Sequence, residues 1–379
     1  INIVKLLLND QRVDINQVNN PGATPFYIAC ERGHIEIVKL LLNDKSVDIN
    51  KENTNEVTPL YITCEKGHIE TTKLLLSDKK VEVNKANEYG ATPFYIACQN
   101  GHLDVVKLLL NDKRVEINKT RNNGDTPFYI ACQQGHIEVV KLLLNEKSIV
   151  DINKTDKYGR TPFYYSCWSD YIEIVKLLLN DERVDVNKET NDGETPFYLA
   201  CKNGEIEVVK LLLTNERVNI NKPNGYGTTP FHIVYEKGHT EIIKLFLNDK
   251  RVDINKAMSN GETFFYRACK EGKIEIVTIL LNHKRVDINK EGDDGYTPLS
   301  IACQKGQIEI VKYLLACRRE IDLNKGTPFW ISCRNGHIEI VELLLNDERV
   351  DINIADKNGK IPFYVACQNG HIEIVKLLL

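Results

Sequence analysis

The residues best suited to chemistry in this sequence are cysteines and histidines that recur four positions apart. The first three pairs are Cys30 with His34, Cys64 with His68 and Cys98 with His102. Such a pair could form a thiol nucleophile with its base, or supply ligands for zinc. A zinc site needs about four convergent ligands, whereas each pair offers two and the next lies ~10 Å away. Ten equivalent catalytic sites in one chain are not expected, so we predict no catalytic residue, no metal and no cofactor.

Ten of the eleven cysteines occupy one position of a repeated pattern, and Cys317 lies outside the series. The ten are Cys30, Cys64, Cys98, Cys132, Cys167, Cys201, Cys269, Cys303, Cys333 and Cys367. Equivalent positions in stacked helical repeats lie ~8 to 10 Å apart, beyond the ~7 Å between Cα atoms that a disulfide bridges. We therefore predict small, reduced core residues. Free thiols favour a reducing compartment, so we expect a cytoplasmic protein.

A threonine, followed by proline in nearly every copy, anchors the repeat. The anchors are Thr24, Thr58, Thr92, Thr126, Thr161, Thr195, Thr229, Thr263, Thr297 and Thr327, with Ile361 in the last copy. Successive anchors are 34 or 35 residues apart, except for 30 residues before Thr327. This period indicates a solenoid, in which each repeat buries its apolar face on its neighbours. We predict a single array over 1–379, with repeats 1–23 (partial), 24–57, 58–91, 92–125, 126–160, 161–194, 195–228, 229–262, 263–296, 297–326, 327–360 and 361–379 (partial).

The repeat that begins at Thr24 illustrates the predicted local structure. Thr24 can cap a helix whose first residue is Pro25, and Gly33 ends that helix. Apolar residues recur at helical spacing over 35–42, which predicts a second, buried helix. A glycine two residues before the next anchor, such as Gly90, marks a tight turn, or finger. The fold class is therefore all-α, with helix, turn, helix and finger in each repeat.

The period alone also fits tetratricopeptide repeats, but the residues do not. That family has two helices of similar length, whereas the first helix here has about two turns. Residues 90–110 carry Gly-x-Thr-Pro, two small residues, Gly-His and a Leu-Leu pair, followed by Val-Glu-Ile-Asn at 115–118. In these motifs the chain resembles the ankyrin-repeat family over essentially its whole length, and it is similar to the expanded ankyrin sets of single-celled eukaryotes. The resemblance implies an ankyrin-repeat solenoid of stacked helix-turn-helix repeats with short β-turn or hairpin fingers.

Four departures from that family's pattern predict local differences. Tyr27 and its equivalents replace the family's histidine, so we expect a phenol to make the polar tie between repeats. Phe264 replaces the helix-starting proline, which predicts a weaker helix start, and Tyr235 takes a cysteine position, which predicts irregular packing nearby. Only two residues separate Asn324 from Thr327, which predicts a notch in the row of fingers.

Charge and hydropathy exclude two classes of partner. The chain has 49 lysines and arginines against 53 aspartates and glutamates, well mixed, for a net charge of −4. No basic stripe invites nucleic acid, and no apolar run approaches the ~20 residues of a membrane span. We expect a monomer that binds protein partners, with no nucleic acid and no membrane span. The chain begins at Ile1 inside a repeat, so we expect a fragment, and an upstream secretion signal stays an open alternative.

The resemblance implies that partners bind in a concave groove formed by the finger tips and the exposed side of the short helices. Trp168 stands out there, because other copies have Glu31 or Gln99 at that position. Trp, Tyr and Arg most often dominate interface energies, which favours a binding anchor, while a local packing role for Trp168 is the alternative. The predicted partner-binding residues are Tyr89, Gln133, Gln134, Tyr158, Arg160, Trp168, Glu194, Lys202 and Tyr226.

The sequence thus favours a non-catalytic scaffold or adaptor that binds partner proteins through this groove. The alternative is the targeting region of a larger enzyme or membrane channel whose other domain lies outside the fragment. No feature of the sequence identifies the partner.

Overall fold

Helices provide the regular structure of this chain. The computed structural model describes residues 1–8, 10, 12–146, 150–258, 260–317 and 319–379. Within these residues there are 23 α-helices and no β-strand, so the all-α prediction is confirmed. The chain forms two compact bodies, an N-terminal body of residues 1–219 and 223–227 and a C-terminal body of residues 220–222 and 228–379.

Each repeat from Thr24 onward contributes a short first helix and a second helix, joined by a turn, and the described residues of the partial repeat before it contribute α1 (Asn2–Leu8) alone. In the N-terminal body the helices are α1 (Asn2–Leu8), α2 (Pro25–Glu31), α3 (Ile35–Leu42), α4 (Pro59–Lys66), α5 (Ile69–Leu76), α6 (Pro93–Gln99), α7 (Leu103–Leu110), α8 (Pro127–Gln133), α9 (Ile137–Asn145), α10 (Pro162–Trp168), α11 (Ile172–Asn180), α12 (Pro196–Asn203) and α13 (Ile206–Leu213). In the C-terminal body they are α14 (Pro230–Lys237), α15 (Thr240–Asn248), α16 (Phe264–Glu271), α17 (Ile274–Leu281), α18 (Pro298–Gln304), α19 (Ile308–Leu315), α20 (Pro328–Asn335), α21 (Ile338–Leu345), α22 (Pro362–Gln368) and α23 (Ile372–Leu378). No helix in the described ranges is long and apolar enough to cross a lipid bilayer.

The anchor threonine caps the first helix of its repeat. At α6, the Thr92 hydroxyl accepts the N–H of Tyr95 at 3.1 Å, and Pro93 is the first helical residue. The same cap forms at the anchors from Thr24 to Thr297. Such a cap contributes ~1 kcal/mol. The turn after the helix uses a left-handed glycine, such as Gly101 with φ 71°, as predicted.

The core of each body lies between its layer of short helices and its layer of second helices. Phe94 and Cys98 of α6 and Val106 of α7 are at most 1% exposed. Nine of the ten aligned cysteines are buried, and all are free. Cys367 is exposed, so the prediction of a buried thiol is wrong there. Among the first helices that the structure describes, α20 is the neighbour of α22, and the opposite face of α22 stays open.

In most repeats, a tyrosine three residues after the anchor ties the repeat to the next finger. Tyr129 Oη donates to Asp156 Oδ2 at 3.1 Å, whereas Tyr61 Oη accepts from the side-chain amide of Asn87 at 3.2 Å. Equivalent bonds join Tyr95 to Asp125, Tyr164 to Glu194 and Tyr266 to Asp294. The prediction that a phenol makes the polar tie between repeats is therefore confirmed.

An asparagine in the extended segment makes a second tie, which sequence reasoning missed. Asn84 Nδ2 donates to the carbonyl of Arg114 at 2.7 Å, and Asn84 Oδ1 accepts the N–H of Glu116 at 2.8 Å. The same pair of bonds recurs at Asn50, Asn153, Asn187, Asn255, Asn289 and Asn324. A side-chain amide offers both donor and acceptor, so it satisfies two backbone groups at once. Together with the phenol ties, this asparagine side chain fixes the position of the neighbouring finger.

Bulky residues rearrange the packing at the start of the C-terminal body. Tyr235, which is 1% exposed, fills a cysteine position, and its ring lies 5.6 Å from that of Phe264. Phe264 also meets Phe231 edge to face at 4.3 Å, so an aromatic cluster provides the irregular packing that the sequence predicts. Thr263 still caps the helix, through the N–H of Tyr266 at 3.2 Å. Because α16 begins in register at Phe264, its geometry shows no weaker start.

The shortened finger changes the start of α20. Thr327 has φ 52° and its side chain caps no helical N–H, whereas Thr92 has φ −86°. A left-handed φ on a β-branched residue is strained. Only Lys325 and Gly326 link Asn324 to Thr327, so no finger of regular length fits here. The predicted notch is present.

Candidate protein-binding surface

One finger and the short helix that follows it bring four side chains together in the N-terminal body. Tyr158 and Arg160 lie on the finger, and Tyr165 and Trp168 lie on α10. Asp156 Oδ1 shapes the finger by accepting the N–H groups of Tyr158 and Arg160, both at 2.9 Å. We call the side chains of Tyr158, Arg160, Tyr165 and Trp168 the Trp168 patch.

Arg160 connects the members of the Trp168 patch. Its guanidinium lies 4.4 Å from the ring centre of Tyr158 and 4.9 Å from that of Tyr165. It also pairs with the Asp156 carboxylate at 2.6 Å, and Asp156 is only 6% exposed. Burial lowers the pKa of Arg160, but Asp156 and the nearby phenols outweigh burial and raise that pKa. The guanidinium is therefore held charged and in contact with two rings.

Trp168 is supported by its own helix and is still accessible. Its ring stacks on that of Tyr165, with centres 5.4 Å apart and planes 12° apart. Tyr165 in turn meets Tyr129 edge to face at 5.2 Å. Trp168 is nevertheless 45% exposed, and Tyr158 is 51% exposed. The indole thus has a fixed position and leaves almost half of its surface open.

Tyr165 is the member of the Trp168 patch that sequence reasoning missed. Its position, four after the anchor, holds Ile96, Ile130 and Leu199 in other repeats, and all three are buried. The available signal was a tyrosine replacing an aliphatic residue three positions before Trp168, since residues three apart share a helix face.

The turn after Trp168 keeps the backbone of a regular repeat although its residues differ. Asp170 stands where other repeats have glycine and has φ 55°, close to the 71° of Gly101. Aspartate is one of the few residues that tolerate this conformation. Tyr171 replaces a histidine, and its ring lies so near Gly135 that an added Cβ would approach it to 2.8 Å. The turn is therefore intact, and the helix alone places Trp168.

A groove of about 290 Å³ opens beside the Trp168 patch. We call it the Trp168 groove, and its walls include five of the nine predicted residues: Tyr158, Arg160, Trp168, Glu194 and Lys202. Lys202 Nζ pairs with Glu194 Oε1 at 2.7 Å, and Glu194 Oε2 accepts the hydroxyl of Tyr164 at 3.0 Å. Burial and the Glu194 carboxylate raise the pKa of Tyr164, so the phenol stays a donor at neutral pH. Both cations of this groove are thus neutralised by carboxylates.

The other four predicted residues lie outside the Trp168 groove. Tyr89 and Tyr226 occupy other fingers and are 60% and 83% exposed. Gln133 and Gln134 lie at the end of α8, where Gln133 is half-buried and Gln134 is exposed. Their part in binding stays a prediction.

The cysteine and histidine pairs have structural surroundings. Burial raises the pKa of Cys30 to about 12, which leaves little thiolate at neutral pH. His68 Nε2 lies 2.9 Å from the carbonyl oxygen of Glu31, so the ring bonds to the backbone of the preceding repeat. In the described part of the chain, no group of three or more His, Cys, Asp or Glu side chains could hold a metal ion.

Comparison with known proteins agrees with this architecture. No curated protein matches the chain in sequence. Among solved structures, the ankyrin repeat domain of Bcl-3, described as a unique member of the IkappaB protein family, matches with a TM-score of 0.53 and 22% identity. That match covers 59% of this chain and 99% of the Bcl-3 chain. A family profile described as ankyrin repeats (3 copies) matches residues 1–87, 45–121, 113–190, 182–258, 231–326 and 316–379. The chain therefore belongs to the ankyrin-repeat family, whose repeats generally act as protein-interaction modules.

Proposed function

We propose that this chain is a non-catalytic scaffold that binds a partner protein through the Trp168 groove. The observation that carries the proposal is the half-exposed indole of Trp168, stacked on Tyr165 beside the fixed guanidinium of Arg160. Trp, Tyr and Arg are the residues whose truncation most often costs ~2 kcal/mol or more at an interface. A regular repeat has a glutamine such as Gln99 in place of the indole, so the fold does not depend on the ring.

The Trp168 patch is also ready for binding before a partner arrives. Immobilising a flexible side chain on binding costs ~0.5 to 1.5 kcal/mol. Arg160 is already held by Asp156 and two rings, and Trp168 is already stacked, so much of this cost is absent. Because both cations of the groove, Arg160 and Lys202, are paired with carboxylates and Asp192 adds a further carboxylate to its wall, it favours a partner that offers an apolar side chain and hydrogen-bond donors rather than negative charge.

The proposal includes a monomer in a reducing, cytoplasmic setting. All eleven cysteines are free. Cys98 is fully buried, and burial raises the pKa of its thiol well above the usual value. Thiols of this kind neither catalyse nor cross-link, and they persist where glutathione keeps proteins reduced.

Trp168→Ala tests the proposal, with Gln99→Ala as the matched control at the same repeat position. We expect the wild type and the control to capture a partner, identified by mass spectrometry, that Trp168→Ala does not retain. In calorimetric titration with that purified partner, Trp168→Ala should bind about 30-fold more weakly, which corresponds to ~2 kcal/mol. The melting temperature should stay nearly unchanged. Full affinity with a lowered melting temperature would show that Trp168 is a packing residue, and the proposal would be wrong.

A further inference from the structure

A second groove lies in the C-terminal body where one finger is almost missing. Two residues separate Asn324 from Thr327, whereas seven separate Asn187 from Thr195 in a regular repeat. A cavity of about 650 Å³ opens beside α20, α22 and the finger that precedes α22. We call it the notch groove, and the wall residues with aromatic or charged side chains are Tyr296, Trp330, Arg334, Asp356, Lys357 and Lys360.

Trp330 is held in place within the notch groove. It occupies the position of the tyrosine that ties other repeats together, and its indole N–H donates to the carbonyl of Lys360 at 2.8 Å. The guanidinium of Arg334, one turn further along α20, lies 5.5 Å from the centre of the Trp330 ring. The groove therefore presents an immobilised aromatic surface with a positive charge next to it.

The charges that line the notch groove are mostly positive. Among the described residues that line the groove, Arg334, Lys357 and Lys360 face one carboxylate, that of Asp356. Asp356 Oδ1 accepts the N–H groups of Asn358 and Lys360, both at 2.9 Å, and bonds to the finger backbone lower the pKa of this carboxyl. Within the residues that the structure describes, neither Arg334 nor Lys357 forms an ion pair. Two cations are therefore left to bind a carboxylate from outside.

We propose that the notch groove binds a short acidic segment of a partner protein, with its carboxylates on Arg334 and Lys357 and an apolar side chain on Trp330. The guanidinium matches a carboxylate in shape and can bind it through two N–H groups. The indole offers apolar area next to those charges. The whole chain has a net charge of −4, so it repels a long polyanion, whereas a short acidic segment meets only the local positive charge.

Fluorescence anisotropy of a labelled peptide, Glu-Glu-Leu-Glu-Glu, with the full chain tests this second site. We expect saturable binding that weakens about tenfold in Arg334→Gln and in Lys357→Gln, and that weakens further as ionic strength rises above about 0.15 M. The same peptide with glutamine in place of glutamate should not bind. Lys157→Gln is the matched control, since Lys157 has the same place in the finger 156–160 as Lys357 has in the finger 356–360.

A variant that fills the notch gives an independent measurement. Inserting five residues between Lys325 and Gly326 restores a finger of regular length and should abolish peptide binding while the circular dichroism of the helices is kept. Unchanged binding in Arg334→Gln and in the filled variant, or an equal loss in Lys157→Gln, would overturn the proposal. Tighter binding of a single-stranded DNA or of anionic vesicles than of the peptide would also overturn it, because the groove would then be a phosphate site. Trp168→Ala should leave peptide binding unchanged, so the proposals for the Trp168 groove and for the notch groove are tested independently.

Discussion

The Trp168 groove and the notch groove lie beside fingers of nearly the same sequence but present different charges. The finger at 156–160 reads Asp-Lys-Tyr-Gly-Arg, and the finger at 356–360 reads Asp-Lys-Asn-Gly-Lys. In the first, Arg160 pairs with the buried carboxylate of Asp156 and touches two rings. In the second, Lys360 Nζ donates to the side chain of Gln368 at 3.1 Å. The first groove is therefore neutral and aromatic, and the second is positive.

This difference shows how repeats of one architecture present more than one surface chemistry. The threonine caps and the asparagine ties occur in both bodies. What differs is a guanidinium in place of an ammonium, a tyrosine in place of an asparagine, and the removal of one finger. A planar guanidinium can bond a neighbouring carboxylate twice and stack on rings at the same time, which an ammonium cannot. A few exposed positions on the same scaffold thus set the charge and shape of each groove.

Thiol labelling should show the largest difference between the two surroundings. Cys167 on α10 and Cys367 on α22 are equivalent residues, but Cys167 is buried and Cys367 is exposed. Burial shields the Cys167 thiol and raises its pKa, so little thiolate forms near neutral pH. We expect iodoacetamide to label Cys367 first, half-buried Cys317 next, and Cys167 about a thousandfold more slowly than Cys367, since Cys167 reacts only after local opening.

Peptide mass spectrometry over a time course measures these rates. Labelling of Cys167 as fast as that of Cys367 would mean that α10, the helix that carries Trp168, opens readily. The patch would then not be preorganised. The buried thiols Cys98 and Cys303 serve as internal references, one in each body.

Removing the carboxylate at the start of each finger should give the next largest difference. Asp156 accepts bonds from Tyr129 and Arg160 and is almost fully buried, so Asp156→Ala leaves a partly buried cation and a phenol without their partner. We expect a loss of ~3 kcal/mol in the free energy of unfolding near this finger. The equivalent Asp356→Ala should lose much less, because that carboxylate bonds the backbone of an exposed finger.

Amide hydrogen exchange at 156–168 and at 356–368 measures each local loss, since unfolding of a repeat array is not strictly two-state. Equal losses in the two variants would show that Arg160 gains nothing from its carboxylate. The contrast between a neutral and a positive groove would then lack an energetic basis. Asp156→Asn keeps the side-chain carbonyl that caps the finger, and so it separates the cap from the ion pair.

The helical repeats could be predicted from the sequence because their signals are local and recur in most copies. The capping threonine at Thr92, the left-handed Gly101 and the missing finger before Thr327 are each readable within a few residues. The tie through Tyr129 was also predictable, since the tyrosine occupies a position that is polar in the family. These features needed no knowledge of which repeats touch.

The chemistry of the two grooves could not be predicted in the same way. Tyr165 escaped notice because its position is core in regular repeats, and its contacts with Tyr129 and Arg160 join residues that are apart in the sequence. Trp330 was not predicted because it lies at the tying position, which has a structural role in regular repeats and not a binding one. Whether a cation is paired or free depends on side-chain geometry, which repeat spacing does not reveal.

Arg160→Lys should have the smallest effect, and it separates the shape of the cation from its charge. Two N–H groups of Arg160 reach Asp156 Oδ2, at 2.7 and 2.6 Å, whereas a lysine keeps the charge but not the flat, two-point contact. We expect a loss of ~1 kcal/mol in stability near the finger and a fall in partner affinity of a few fold, less than for Trp168→Ala. When Arg160→Lys is made in a Trp330→Phe background, the emission of Trp168 should shift to longer wavelength as the patch loosens.

The reverse change, Lys360→Arg, should let a guanidinium reach Asp356 and so weaken binding of the acidic peptide at the notch groove. If Arg160→Lys leaves affinity and emission unchanged while Lys360→Arg leaves the peptide equally tight, the choice of cation on these fingers does not control what either groove binds.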